Sequence, residues 1–113
     1  MLQINLDGRA PTFTKKVADV NVPLNSEAIF VIEYDASPVP EVKWLRNGLE
    51  LTSSGRYRIH TKPDESKSTL TFSDIWENDN NSTITCEIVN PLGKDKCEAI
   101  FHVKSKLYDH FSM

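Results

Sequence analysis

Long apolar runs are missing from this chain. The longest, Ala28 to Ile32, is five residues, against the roughly 20 that a helix needs to cross a bilayer. Glycine is scarce, with four in 113 residues, and neither a Gly-x-Gly-x-x-Gly fingerprint nor a P-loop occurs. That removes the nucleotide-binding readings in which a glycine-rich turn lets backbone N–H groups cradle phosphate. A Gly-x-Ser-x-Gly elbow, which would present a nucleophilic serine, is absent too. His60, His102 and His110 stand far apart, and no group of His, Cys or carboxylate residues has metal-ligand spacing. The sequence therefore points to no catalytic, cofactor-binding or metal site, and to no enzyme. Thirteen Lys and Arg against sixteen Asp and Glu give a net charge of −3, and both signs are interspersed. Without a basic stripe, neither nucleic acid nor an anionic membrane is expected as the main partner. Only two cysteines occur, Cys86 and Cys97.

What is present is period-two alternation. Segments rich in Val, Ile, Thr, Phe and Tyr run over about 12–14, 17–22, 27–35, 41–46, 57–62, 68–73, 82–90 and 94–104, and Pro, Gly, Asn, Asp and Ser punctuate them. Pro38 and Pro40 interrupt strand pairing, Asn47-Gly48 supplies positive φ for a tight turn, and Asn90-Pro91-Leu92-Gly93 closes a hairpin. The Pro38-Val39-Pro40 run reads as a strand connection rather than a proline-rich ligand. No helical stripe competes. Ser73 to Asp79 has room for a single turn capped by Ser73 or Asp74. At 113 residues the chain is one domain with a core of its own. Many short antiparallel strands that each bury one face predict two packed sheets, an all-β sandwich.

Parity assigns the inward faces, because side chains alternate along a strand. Ala28, Phe30, Ile32 and Tyr34 share one face; Val42 and Trp44, Leu70 and Phe72, Ile84, Cys86 and Ile88, and Cys97, Ala99, Phe101 and Val103 do the same on later segments. Ile29 and Val31 then point outward beside Glu33, as ordinary sheet surface.

Several of these segments in order resemble an immunoglobulin domain of the intermediate (I-set) type, as found in the titin, twitchin, obscurin and myosin light chain kinase group of muscle proteins. The resemblance covers residues ~11–104. Pro11-Thr12-Phe13 followed by Lys15-Lys16-Val17 is similar to that group's first strand. Pro38-Val39-Pro40-Glu41-Val42-Lys43-Trp44 with Asn47-Gly48 is similar to its Pro-x-Pro-x-Val-x-Trp signature and the turn that follows. Ser68 to Ile75 resembles the fifth strand, Cys86 to Gly93 the Cys-x-x-x-Asn-x-x-Gly hairpin, and Ala99 to Val103 the last strand. The resemblance implies an inter-sheet disulfide from a second-strand cysteine to Cys86 and a tyrosine two residues before Cys86. Here those positions are Ile32 and Ile84, so neither device can form. The family's Asp-x-Gly-x-Tyr-x-Cys run becomes Asn80-Asn81-Ser82-Thr83-Ile84-Thr85-Cys86, and the corner from Ile75 to Cys86 is one residue longer than usual.

If the hairpin turn pairs Val89 with Lys94, Cys86 lies opposite Cys97 on the inward face. Directly opposed Cβ atoms sit ~4.5–5.5 Å apart, whereas a relaxed disulfide wants ~3.5–4.5 Å, so a bond there requires distortion. Two buried thiols acting as small apolar residues are the expectation, and an intracellular setting follows from it. Two overlapping sequons, Asn80-Asn81-Ser82 and Asn81-Ser82-Thr83, argue the other way.

The expected organisation is an N-terminal linker over 1–10, the I-set domain over 11–104 and a C-terminal linker or tail over 105–113. In that tail Leu107, Tyr108 and Phe111 alternate with charges. The resemblance implies a structural and protein-interaction module of a large sarcomeric protein. Such a module is one link in a tandem array, next to a kinase in the kinase-bearing members, monomeric when isolated, and partnered by neighbouring domains and sarcomeric proteins. An extracellular adhesion or receptor domain is the alternative.

Overall fold

A computed structural model describes residues 8–104. Among the described residues nine strands form: β1 (Arg9–Lys15), β2 (Val20–Pro23), β3 (Ala28–Ser37), β4 (Glu41–Arg46), β5 (Leu49–Glu50), β6 (Tyr57–Lys62), β7 (Lys67–Phe72), β8 (Ser82–Asn90) and β9 (Gly93–Lys104). One sheet has the order β1-β3-β7-β6 and the other β2-β9-β8-β4-β5. The two pack face to face as an immunoglobulin-like sandwich with no inter-sheet disulfide.

The inward faces assigned by parity form the core. Ala28, Phe30, Ile32, Tyr34, Trp44, Leu70, Phe72, Ile84, Cys86, Ile88, Cys97, Ala99 and Phe101 are buried, while Val42 and Val103 pack at its margin. Val17 and Ile75, which lie in connections, complete it. Aromatic rings from four strands interlock across the sheets, with Phe72 edge-on to Phe30, Tyr57 and Phe101 at centroid separations of 5.9, 5.0 and 4.9 Å. Edge-to-face contacts of this kind add to burial because a positive ring edge meets a negative ring face.

Trp44 supplies a buried polar tie between the sheets. Its indole Nε1–H donates to Ser68 Oγ at 2.9 Å, and Thr61 Oγ1 lies 2.9 Å from the same hydroxyl. Ser68 is fully buried and sits opposite Ile32 in the β3–β7 register. A buried indole donor needs such a partner.

Two expectations are corrected. The segment 17–22 is not one strand, because the chain leaves the first sheet after Lys15 and joins the second only at Val20. Between them Val17 turns inward and its N–H donates to Cys97 Sγ at 3.5 Å. The turn within 73–79 is a 3₁₀ turn over Glu77–Asp79 with Trp76, rather than Ser73 or Asp74, at its N-cap. The short β5 and a 3₁₀ turn over Pro63–Glu65, closed by Ser66 at φ 52°, carried no alternation to reveal them.

Ser68→Ala would orphan the Trp44 donor and is expected to cost about 1–3 kcal/mol, seen as a lower urea midpoint with an unchanged m-value. The Tyr34 hydroxyl, by contrast, is buried with no hydrogen-bond partner among the described residues. Tyr34→Phe should therefore leave the midpoint unchanged or raise it.

Candidate interaction surface

The three histidines singled out in the sequence do not converge. His60 is exposed on β6, His102 is half-buried on β9 in the other sheet, and His110 lies outside the described residues. Among the described residues no three His, Cys, Asp or Glu side chains stand close enough to hold a metal ion.

Cys86 and Cys97 are directly opposed in the β8–β9 register, which runs from Ser82↔Phe101 to Asn90↔Gly93 without a break. Both are buried free thiols. Burial pushes the Cys86 thiol far up, and the neighbouring Cys97 and Glu87 add to that. Cys97 is also raised by burial, with the Val17 N–H working against it. A thiol held protonated and out of solvent is a poor nucleophile. In the first sequon the Asn80 amide oxygen accepts from the Val103 N–H at 2.9 Å, and the Ser82 hydroxyl is buried under Arg46 Nε at 3.2 Å. The second is open: Asn81 is exposed at φ 66°.

Exposed apolar side chains gather at the two ends of the sandwich. Val39, at 61% exposure, and Leu92, at 55%, flank the end where β1 begins. Asn90 ties that end together, its Nδ2 donating to the carbonyls of Arg9 (2.8 Å) and Pro38 (3.0 Å). At the opposite end, where β9 finishes, stand Trp76, at 51%, and Leu49, at 74%. Leu49 pairs with Arg46, whose Nη2 donates to the Asn78 carbonyl at 3.1 Å.

The Trp76 end is the more constructed of the two. Asp79 is fully buried one turn beyond Trp76. Arg56 grips its carboxylate with both Nη atoms at 2.7 and 2.8 Å, and Arg46 Nη2 adds a third contact at 2.9 Å. The Trp76 N–H donates back to Asp79 Oδ2 at 2.8 Å, half of a capping box. Burial by itself raises the Asp79 pKa; the Arg56 and Trp76 hydrogen bonds and the two guanidinium charges outweigh it and hold the carboxyl below its ordinary range. Arg46 also reaches the Tyr57 hydroxyl at 2.9 Å, and Arg56 the Asp74 carbonyl at 2.7 Å. The Arg56 guanidinium carbon lies 3.8 Å from the Trp76 ring centroid, and the indole N–H donates to Asp74 Oδ2 at 3.1 Å. Trp76 is thus half exposed yet fixed on one face and one edge.

Alignment to the family run had put Asn80 in the acidic position; the carboxylate is Asp79, one residue earlier. Asn81, two residues further on, lies in the left-handed region at φ 66°. Pairing of Arg46 and Arg56 with Asp79 joins residues up to 33 apart in sequence, a relation no local spacing shows.

Asp79→Asn is expected to cost about 3–5 kcal/mol, because two partly buried guanidinium groups lose their counter-charge. With its folded pKa depressed, Asp79 contributes stability above its unfolded value of about 3.9 and loses it as pH falls through the folded pKa. Urea midpoints of the two proteins should therefore converge below about pH 4. The buried thiols give a second test. Ellman's reagent should titrate two thiols in denaturant and close to none in the folded protein within minutes.

With this geometry in place, comparison with known proteins is specific. The immunoglobulin I-set domain profile matches residues 11–103. Titin of Drosophila melanogaster is 33% identical over 98 residues, 87% of this chain and 0% of that protein to the nearest per cent. Smooth muscle myosin light chain kinase of Gallus gallus is 32% identical over 95 residues, covering 84% and 5%. The muscle M-line assembly protein unc-89 of Caenorhabditis elegans is 33% identical over 105 residues, covering 93% and 1%. The chain thus spans 5% or less of each of these relatives. Among solved structures, titin M4 superposes with a TM-score of 0.80 at 26% identity, covering 86% of this chain and 98% of that one. Titin Z1Z2 in complex with telethonin gives 0.81 at 21%, covering 88% and 49%, a likeness of fold alone. The chain belongs to the immunoglobulin I-set family.

Proposed function

We propose that this chain is a non-catalytic link in a tandem array within a large intracellular muscle protein of the sarcomere, where it transmits tension and binds other proteins. The observation that carries the mechanical part is the pairing of β2 with β9. These strands run parallel, from Val20↔Phe101 to Pro23↔Lys104. Tension that drags the N-terminal end one way and the C-terminal end the other pulls parallel strands along their axes in opposite directions. Their hydrogen bonds are then loaded together rather than unzipped one by one. β1, antiparallel to β3 in the other sheet, anchors the same end of the chain.

The relatives are muscle proteins, which supports the sarcomeric setting, and two thiols without a disulfide suit a reducing compartment. A kinase neighbour is the narrower part of the proposal, supported by the name of one relative, myosin light chain kinase. Binding of other proteins draws support from a structural neighbour, titin Z1Z2, seen in complex with telethonin. The isolated domain is proposed to be monomeric. One observation favours a second reading, an extracellular adhesion domain: the open sequon at Asn81.

Immunofluorescence on isolated myofibrils, with an antibody to the folded domain, should give a regular striation, and tryptic peptides of the native parent should show Asn81 bare and both thiols alkylatable. Cell-surface staining with a glycan at Asn81 would establish the second reading instead. Pulled from its ends, the domain should release its whole length in one step. A Cys86 to Cys97 bridge would hide about 3–4 nm of extended chain.

A further inference from the structure

Asn47-Gly48 is the single Asn-Gly pair of the sequence, and such a pair carries its own chemistry. The main-chain nitrogen after an asparagine can attack the side-chain Cγ, expelling ammonia and closing a five-membered succinimide. Water then opens the ring at one carbonyl to give aspartate or at the other to give isoaspartate. Glycine in second place leaves the attacking nitrogen unhindered, since it has no Cβ.

The fold uses the same two residues for another purpose. They form the loop between β4 and β5, closed by the Arg46↔Leu49 pair. Asn47 has φ 50° and Gly48 φ 85°, the signature of a type I′ turn, which demands positive φ at both places. Thr83 on β8 pins the turn from the side. The Asn47 N–H donates to the Thr83 carbonyl at 2.8 Å, and the Thr83 N–H donates to Asn47 Oδ1 at 2.8 Å. Both loop residues are exposed, and a Cβ added at Gly48 would meet nothing within 4 Å. Water therefore reaches them freely, and burial shields neither.

What shields them is conformation. In a type I′ turn ψ of the first loop residue is about +30°, which sets the Gly48 nitrogen nearly opposite the Asn47 Cβ across the Cα–C bond. Ring closure needs the two nearly eclipsed. The Thr83 contact opposes it as well, because the Asn47 amide cannot swing toward Gly48 without giving up that bond.

From the turn geometry and the Thr83 clamp together, we propose that Asn47 is a latent deamidation site, held unreactive while the turn is formed and released when β4, β5 and β8 separate, so that unfolding leaves a covalent mark on the chain. Isoaspartate runs the main chain through the former side chain, which lengthens the loop by one backbone atom and moves the acceptor used by the Thr83 N–H. The Arg46↔Leu49 register is then disturbed, and Arg46 is the residue that reaches Asp79, Tyr57 and Ser82. A marked chain refolds into a less stable domain. Aspartate, the other product, keeps both the backbone and the acceptor.

Peptide-resolved mass spectrometry on the full 113-residue chain is the test. Cleavage after glutamate releases residues 42–50, VKWLRNGLE, with Asn47 as its only asparagine. At neutral pH this peptide should deamidate at least about tenfold more slowly in chains aged folded in buffer than in chains aged in concentrated urea, since only the open fraction reacts. In urea its rate should match that of the free synthetic peptide in the same solvent. Equal rates in buffer and urea, or no ammonia loss in urea, overturn the proposal. The return to the fold is measured separately. Chains aged in urea, sorted by isoaspartate at residue 47 and refolded, should show a lower urea midpoint than unmodified chains, while freshly made Asn47→Asp stays close to the parent. Equal midpoints for the isoaspartate and unmodified chains overturn the claim that the mark weakens the refolded domain.

Discussion

A carboxylate with no access to water has to be neutralised where it stands, and the placement of Asp79 organises one whole end of this domain. Leaving an ion uncompensated inside a protein costs several kcal/mol even after relaxation, so the elements that supply its partners are bound to one arrangement. Arg46 comes from β4, Arg56 from the residue just before β6, and the Trp76 N–H from the connection between β7 and β8. Each arginine then spends its remaining donors on further neighbours: Arg46 on Tyr57, Ser82 and Asn78, Arg56 on Asp74. One buried charge thereby ties both sheets to the corner between them.

At mid-sandwich the ties are weaker individually and more numerous. Ile32 and Cys86 occupy places where a covalent bridge between sheets would fit the fold, and packing replaces it: Ile32 is fully buried, and Trp44 faces Cys86 in the β4–β8 register. The Trp44 to Ser68 hydrogen bond is the polar contact across the gap, net worth about 1 kcal/mol. A bridge acts largely on the unfolded chain, shortening its accessible ensemble; the aromatic cluster acts on the folded state alone. A domain built the second way unfolds to its full length.

Legibility in the sequence followed the range of the signal. Strands whose alternation runs six residues or more, β3, β4, β6, β7, β8 and β9, were readable to within a few residues, since period-two patterning is local and their buried faces follow from parity. The Cys86 and Cys97 opposition was readable because a tight hairpin fixes register over its whole length. What stayed hidden needs the third dimension. β5 is too short to alternate, and Val17 is buried by a crossing between sheets. The Arg46, Asp79 and Arg56 cluster brings together three charged residues that, read singly, look like solvated surface. A motif matched by spacing pointed at Asn80, one residue from the buried carboxylate of Asp79.

The two ends of the sandwich are unequal in a way that bears on how such a domain joins others. At the β1 end, the exposed Val39 and Leu92 stand on a loop and a hairpin turn held by one amide side chain, Asn90. At the β9 end, the exposed Trp76 rests on a buried ion cluster. A surface can bind with little loss of freedom only where it is already ordered, and the second end meets that condition through the same contacts that stabilise the fold. The parallel β2–β9 pairing finishes there as well, at Pro23 and Lys104, one hydrogen bond from Asn80. In the proposed tandem array, tension leaving through β9 would therefore pass beside the corner on which Trp76 stands.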